Sequence, residues 1–176
     1  MTKFVTDYLA QEHQTLSALL SELHQQLGVL RLSQDRGRTE ERLTGLQGKI
    51  AEALRSHVVE EEQILYPALE KHVQGISCTL DRMRQEHDTG DQTRKTFHGN
   101  LDRMIQGTGD PQEVMQSGRL YITWLRRHLM EENGRLFPMI QRSLDPATQQ
   151  VVRTAMELSR DSSARVAEAQ PYSATA

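Results

Sequence analysis

A short motif with one histidine and two glutamates occurs twice in the chain. It reads HVVEEEQILYP from His57 and HLMEENGRLFP from His128, so both copies follow the pattern H-x-x-E-E-x-x-x-L-aromatic-P. On a helix, residues four apart lie on the same face, so each histidine shares a face with the second glutamate of its copy, Glu61 or Glu132. An imidazole nitrogen and a carboxylate oxygen on one helix face can bind the same metal ion.

Each copy is preceded by another histidine, which directly follows a glutamate. These upstream pairs are Glu12-His13 and Glu86-His87. Four histidines and two carboxylates in a duplicated order predict a site for two metal ions, because imidazole and carboxylate are common ligands of transition metals. The candidate ligands are His13, His57, Glu61, His87, His128 and Glu132.

The remaining histidines fit this site less well. His24 and His98 echo the duplication, but each lies three turns beyond a candidate ligand, roughly 16 Å along a helix, which is too far to share its metal. We therefore expect both at the flank or edge of the core, and we expect His72, in a loop that ends in glycine, to be solvated. Asp91 lies four residues after His87 and is a candidate for an additional carboxylate ligand.

Four long helices must position these residues. Apolar residues recur every three or four positions in four segments, a spacing typical of packed helices, and no segment alternates with period two. Stretches with glycine or proline at 36–38, 72–75 and 106–111 separate the segments. Connections this short favour antiparallel neighbours, so the sequence predicts an all-α fold, an up-down-up-down four-helix bundle.

A fifth helix is predicted after the bundle. Asp145-Pro146 is a good helix start, and the helical pattern continues to about Ser162. We expect the bundle to comprise residues 1–142 and the C-terminal helix to comprise residues 143–165, packed on or near the bundle. Residues 166–176 are expected to form a disordered tail.

The six candidate ligands occupy positions on the apolar seams where leucine or isoleucine would otherwise lie. The same seams continue to Ile64 and Met139, and Pro67 and Pro138 are predicted to end or kink their helices. A buried carboxylate without a partner is costly or becomes protonated, so two of them beside four histidines require a common stabiliser. Metal cations provide it. The alternative from another class is a metal-free interaction bundle with a buried polar layer.

The composition argues against several other classes of function. A net charge of −3 with 26% charged residues and no basic stripe disfavours nucleic acid and anionic membranes as partners. No apolar run approaches the length of a membrane span, and the first residues lack the apolar region of a signal peptide. The single cysteine, Cys78, excludes an internal disulfide and a thiolate cluster and favours a reducing, cytoplasmic location.

The duplicated ligand pattern resembles that of the hemerythrin-like proteins, in particular the subgroup with the His-His-Glu cation-binding motif. The resemblance covers roughly residues 5 to 142. It implies a non-haem diiron centre between the helices of a bundle. By this resemblance, His13 and His57 bind one iron and the last two candidate histidines bind the other. Both glutamates, Glu61 and Glu132, then bridge the irons, with an oxo or hydroxo group as the third bridge.

A second element of the resemblance lies one turn before His128. Trp124-Leu125-Arg-Arg-His128 matches the Trp-Leu-x-x-His run that walls the dioxygen pocket of oxygen carriers. This match implies a small apolar ligand pocket at Leu125, with Trp124 on the flank of the seam. Oxygen carriers have a further histidine where this chain has Asp91, and an aspartate ligand where it has Asn133. The pattern is therefore closer to proteins that respond to nitric oxide or repair iron–sulfur clusters than to oxygen transporters.

These features predict a diiron protein that binds or senses O2, NO or peroxide. A histidine-rich site with few carboxylates carries little negative charge, which disfavours high-valent iron and the hydroxylation of organic substrates. A peroxidase or NO reductase with an external electron donor is an alternative function, and an iron-binding or iron-sensing module is another. The sequence does not choose among them.

Overall fold

All secondary structure in the described part of the chain is helical. The structure, a computed structural model, describes residues 4–30 and 35–169, and for residues 162–169 it describes the backbone alone. The helices are α1 (Val5–Leu30), α2 (Arg36–Glu60), α3 (Tyr66–His72), α4 (Ser77–Ile105), α5 (Pro111–Glu131), α6 (Phe137–Ser143) and α7 (Pro146–Ala169). Two π-helical turns, Glu61–Leu65 and Glu132–Leu136, join α2 to α3 and α5 to α6. The all-α prediction is confirmed.

Aspartates begin three of these helices. The carboxylate of Asp35 accepts a hydrogen bond from the Arg38 amide at the start of α2, and that of Asp110 accepts one from the Gln112 amide at the start of α5. Asp145 accepts from the amides of Ala147 and Thr148 and so caps α7. Each cap satisfies backbone donors that the first helical turn leaves unpaired.

The two prolines of the repeated motif do not end their helices. Each lies just after a π turn, in which the Tyr66 amide donates to the Glu61 carbonyl and the Phe137 amide to the Glu132 carbonyl. A proline ring in an α-helix clashes with the carbonyl four residues earlier, and the wider π turn relieves that clash. The helical path therefore continues through Pro67 to the end of α3. In the second copy it likewise continues through Pro138 to the end of α6.

The π turns also shift the buried seam by one residue. Ile64, predicted on the seam, is only partly buried, whereas Leu65 and Tyr66 are fully buried. In the second copy Met139 is likewise partly buried, and Ile140 is buried in its place. One extra residue in the turn rotates everything after it, so a seam extrapolated at constant α-helical period lands on the wrong neighbour.

The four long helices form a ring. α1 packs on α2, α2 on α4, α4 on α5, and α5 on α1. His13 near the start of α1 lies beside His57 near the end of α2, so these neighbours run antiparallel. The predicted up-down-up-down bundle is confirmed. None of the described helices is long and apolar enough to cross a membrane.

Two apolar cores flank the level of the candidate ligands. One core contains Leu16, Leu54 and Leu125, and the other contains Leu9 and Leu65. α7 packs on α1, α2 and the first π turn. It extends to Ala169, beyond the end near Ser162 that the sequence predicted, and residues 170–176 of the predicted tail lie outside the described residues.

Candidate metal centre

The six candidate ligands come together in one layer of the bundle. All are buried, with at most 7% of any residue exposed. The histidines form two pairs. The rings of His13 and His57 lie 5.0 Å apart, and those of His87 and His128 lie 4.9 Å apart, both in edge-to-face geometry. Each pair joins one histidine from an upstream Glu-His dipeptide with one from the repeated motif, as the duplicated order indicates.

Glu132 lies between the two histidine pairs. Its Oε2 atom is 3.2 Å from His13 Nε2 and 3.6 Å from His57 Nε2. Its Oε1 atom is 3.1 Å from His128 Nε2. The carboxylate thus presents one oxygen to each pair, which is the arrangement that a bridging ligand requires.

Glu61 also faces both pairs, but through a single oxygen. Its Oε2 atom is 3.4 Å from His87 Nε2 and 3.8 Å from His57 Nε2. Donor atoms of four of these residues lie within 4.8 Å of one another, namely those of His57, Glu61, His128 and Glu132. Donor atoms this close together could hold a metal ion.

Many donor atoms of this layer have no hydrogen-bond partner. Among the described side chains, the Nε2 atoms of all four histidines, both oxygens of Glu132 and Oε1 of Glu61 are buried and unpaired. Buried polar atoms are rarely left unpaired, because each loses its hydration without compensation. Metal cations would satisfy all of them at once, and imidazole and carboxylate donors suit iron. The residues therefore fit the metal that the family resemblance implies.

The upstream glutamates orient histidines of the neighbouring helix. His57 Nδ1 donates to Glu12 Oε2 over 3.2 Å, and His128 Nδ1 donates to Glu86 Oε2 over the same distance. Because the Nδ1 proton is held there, Nε2 is left to face the centre of the bundle. The repeated glutamate before each upstream histidine was a signal for this role that the sequence analysis did not use.

The other two histidines are oriented by the residue that follows each candidate bridging glutamate. His87 Nδ1 donates to Glu62 Oε1 over 2.7 Å. In the other pair, His13 Nδ1 donates to Asn133 Oδ1 over 3.0 Å. The positions of these partners are equivalent, but one is a carboxylate and the other a neutral amide. The two histidine pairs therefore have different electrostatic surroundings.

The buried carboxylates change the protonation of the histidines. Burial lowers the pKa of His57, but Glu61 and Glu132 outweigh burial and raise the pKa to about 9. The same competition raises the pKa of His128. Burial raises the pKa of Glu132, but His128 and other histidines hold it well below its usual range. Without metal, protonated histidines stabilise the carboxylates, and a cation must displace those protons to bind.

Aromatic side chains close the layer. The Tyr66 hydroxyl donates to Glu61 Oε2 over 3.1 Å, and burial followed by the charge of Glu61 raises the pKa of this hydroxyl, so it remains a donor. The equivalent residue Phe137 has no hydroxyl and stacks on His13, with ring centroids 5.0 Å apart.

The candidate pocket residues take different places. Trp124 stacks on His128 with ring centroids 5.3 Å apart and an interplanar angle of 11°. It is 7% exposed, so it lies in the core rather than on the flank of the seam. Leu125 is fully buried in the apolar core next to the layer. Trp124 fits where Gly90 has no side chain, since a Cβ there would lie 2.0 Å from the Trp124 ring.

The remaining candidates lie outside the layer. The Asp91 carboxylate pairs with Arg94 and Lys95 of its own helix, and these hydrogen bonds lower its pKa, so it is not positioned as a ligand. His98 pairs with Asp102 on the same helix. His24 and His72 are exposed. Their predicted positions at the flank or in solvent are confirmed.

The sequence profile of the Hemerythrin HHE cation binding domain matches residues 5–140. The chain therefore belongs to this family of cation-binding helical domains, and the resemblance drawn from the repeated motif is confirmed. Comparison with curated proteins gave no match. The family assignment and the buried His/Glu cluster together establish the chain as a hemerythrin-type domain with residues that can hold a metal.

Proposed function

We propose that this protein binds two iron ions between its four helices and uses them to bind or sense O2, NO or peroxide. The observation that carries the proposal is the set of four unpaired, buried Nε2 atoms that face two buried carboxylates. A metal-free bundle would have to hold this layer together by charge pairing between protonated histidines and the two carboxylates, whereas metal ions would supply a common partner for all of these atoms.

The contacts support a division of the ligands into two sets. His13 and His57 would hold one iron, and His87 and His128 the other, because the rings are paired in this way. Each carboxylate approaches histidines of both pairs, which supports the bridging role that the family resemblance implies.

Bound iron would supply two Lewis-acidic, redox-active ions that accept a small ligand and exchange one or two electrons with it. The protein's own residues set the conditions for this chemistry. Trp124 covers the ring of His128 and excludes water from that face of the layer. Leu125 adds apolar surface in the same core cluster. The outer carboxylates and Asn133 hold the histidines in one tautomer and orientation. Such a surrounding suits a diatomic or peroxide better than a larger organic substrate.

A cytoplasmic location is part of the proposal. The single cysteine, Cys78, is an exposed free thiol, which suits a reducing compartment. The sequence offers no basic patch for nucleic acid, so the proposed partners are the small ligand and, if the site turns over, an external electron donor.

The deciding experiment combines metal analysis with ligand exposure. Protein loaded with ferrous iron under anaerobic conditions should hold two irons per chain and should change its optical spectrum with O2, NO or peroxide, each added separately. Catalytic turnover with an added reductant would favour the peroxidase or NO reductase alternative. A single tetrahedral zinc, or no metal after anaerobic loading, would refute the diiron proposal.

Matched histidine variants test the ligand assignment in the same assay. His57→Ala should lose iron, because its Nε2 atom faces both carboxylates. His24→Ala should retain the wild-type iron content, because His24 is exposed on the surface of α1. Equal iron loss in both variants would show that the buried layer is not the metal site.

A further inference from the structure

Arg160 of α7 lies over two acidic side chains of the first half of the bundle (α1, α2, the first π turn and α3). Its guanidinium donates to both oxygens of Glu60, over 2.9 and 3.0 Å, and it also contacts Glu12 Oε1. The same group lies 5.3 Å from the centre of the Tyr8 ring. Glu60 is only 1% exposed, whereas the Arg160 side chain is 37% exposed, so the pairing lies at the edge of the packed interior.

A guanidinium is well suited to hold two carboxylates together. Its planar fork offers several donors in fixed directions, and its charge offsets the repulsion between the two acids. Glu60 receives a further hydrogen bond from the Tyr8 hydroxyl over 3.1 Å. Without Arg160, these two neighbouring carboxylates would lose the cation that pairs with both of them.

Glu12 connects this cluster to the metal layer. Its Oε1 atom contacts Arg160, and its Oε2 atom accepts the Nδ1 proton of His57 over 3.2 Å. The opposite nitrogen of His57 faces Glu61 and the centre of the bundle. A short chain of contacts therefore runs from α7 through Glu12 to one proposed iron ligand.

Among the described side chains, the second half of the bundle (α4, α5, the second π turn and α6) has no equivalent contact from outside. There Arg82 of α4 approaches Glu86 and Glu131, with both N–O distances at 3.8 Å and its side chain 47% exposed. Arg82 lies four residues before Glu86, and Tyr8 occupies the matching position before Glu12. In the first half the arginine thus comes from a helix beyond residue 140, where the family match ends.

We propose that Arg160 is a positioning residue for His57, through which α7 makes retention of the first-half metal depend on docking of the C-terminal helix. The inference rests on the proposed metal pair. Groups that orient a metal-bound histidine typically change metal affinity by about 10–100-fold when removed, and Arg160 acts on such a group. Undocking of α7 would then release one metal and leave the other.

The test is iron release from the loaded full-length chain to a strong chelator, followed optically over time. Arg160→Gln should accelerate release of one iron per chain by about 10-fold and leave the second unchanged. Arg160→Lys should restore only part of the retention, because an ammonium cannot span both carboxylates. Arg153→Gln is the matched control on the same helix, since Arg153 pairs with Glu157 away from the layer.

A double variant separates positioning from helix docking. If Arg160 acts through Glu12, adding Arg160→Gln to Glu12→Gln should give little further acceleration. If Arg160 only holds α7 in place, Arg160→Gln should change the release of both irons alike or of neither. Either of these two release patterns, or a clear further acceleration in the double variant, would overturn the inference. Wild-type protein that fails to retain two irons would instead overturn the proposed function, and the inference with it.

Discussion

The two halves of the bundle carry the same ligands but surround them differently. In the first half, Tyr66 donates a hydrogen bond to a candidate bridging glutamate, and an arginine reaches in from α7. In the second half, Phe137 has no hydroxyl to donate, and Arg82 belongs to the bundle itself. The duplicated residues provide the donor atoms that can hold metal. The residues that were not duplicated give the two proposed metal positions different surroundings.

The largest steric difference lies above the last histidine. Four residues before His128 the chain has Trp124, whereas the equivalent position before His57 is Ala53. The indole fits only because Gly90 offers no side chain. The Trp124 ring therefore shields the proposed metal position at His128. Ala53 gives no such cover to the proposed position at His57.

The largest expected effect concerns the two glutamates of the layer. Glu132 approaches three histidines and Glu61 approaches two, so Glu132→Ala should lose both irons while Glu61→Ala keeps part of the iron. Metal content after anaerobic loading measures both, with His72→Ala as the control that should retain all iron. Equal losses would mean that the two glutamates are equivalent despite their different contacts.

The next prediction concerns the fit of the indole. Gly90→Ala places a Cβ 2.0 Å from the nearest atom of the Trp124 ring, and this overpacking should cost about 1–3 kcal/mol of unfolding free energy. Gly99→Ala, on the same helix with no atom within 4 Å of the new Cβ, should instead stabilise by about 0.5–1 kcal/mol. Chemical unfolding followed by circular dichroism gives both values. Effects of the same sign would remove the proposed steric role of Gly90.

The pH dependence of the metal-free chain tests the electrostatics of the layer. His57 has a pKa of about 9 in the folded protein against 6.5 for the unperturbed group, because Glu61 and Glu132 outweigh the effect of burial. Its stabilising contribution is complete below pH 6.5 and is lost as the pH rises through 9. Urea unfolding across this window should show falling stability. His57→Gln should flatten the fall, and His24→Ala should leave it intact.

The smallest effect is expected at Tyr66, where one substitution makes the first half match the second, which has Phe137 at the equivalent position. Tyr66→Phe removes the hydrogen bond to Glu61 and should cost about 1 kcal/mol of unfolding free energy. Tyr121→Phe is the control, because the Tyr121 hydroxyl is buried without a partner among the described residues. That change should be neutral or stabilising. A larger cost at Tyr121 than at Tyr66 would contradict the assigned hydrogen bond.

The candidate ligands could be predicted because they are local features of helices. His57 and Glu61 share a face at any helical period close to four, so the prediction survives the π turn that begins at Glu61. Ile64 lies inside that turn, where one extra residue changes the phase, and its predicted burial was therefore wrong. The motif proline, Pro67, predicted that the helix is disturbed at this point. Whether the helix ends, kinks or widens into a π turn depends on packing that the sequence alone does not reveal.

Contacts between helices were harder to predict. Glu12 stands next to His13 in sequence, yet it accepts a hydrogen bond from His57, because adjacent helix residues point about 100° apart. Arg160 is separated from Glu60 by 100 residues, so no local spacing in the sequence connects the two. Asp91 had the right spacing for a ligand, but neighbouring cations Arg94 and Lys95 hold it at the surface.

Trp124 is the only tryptophan of the chain, and its ring lies 5.3 Å from that of His128. All indole fluorescence of the protein therefore originates beside one proposed metal position. Iron at such short range quenches an excited indole, so loading of the second half should extinguish the emission, while loading of the first half alone should leave more of it. The fluorescence of Trp124 can consequently report which of the two proposed metal positions fills first, without any attached label.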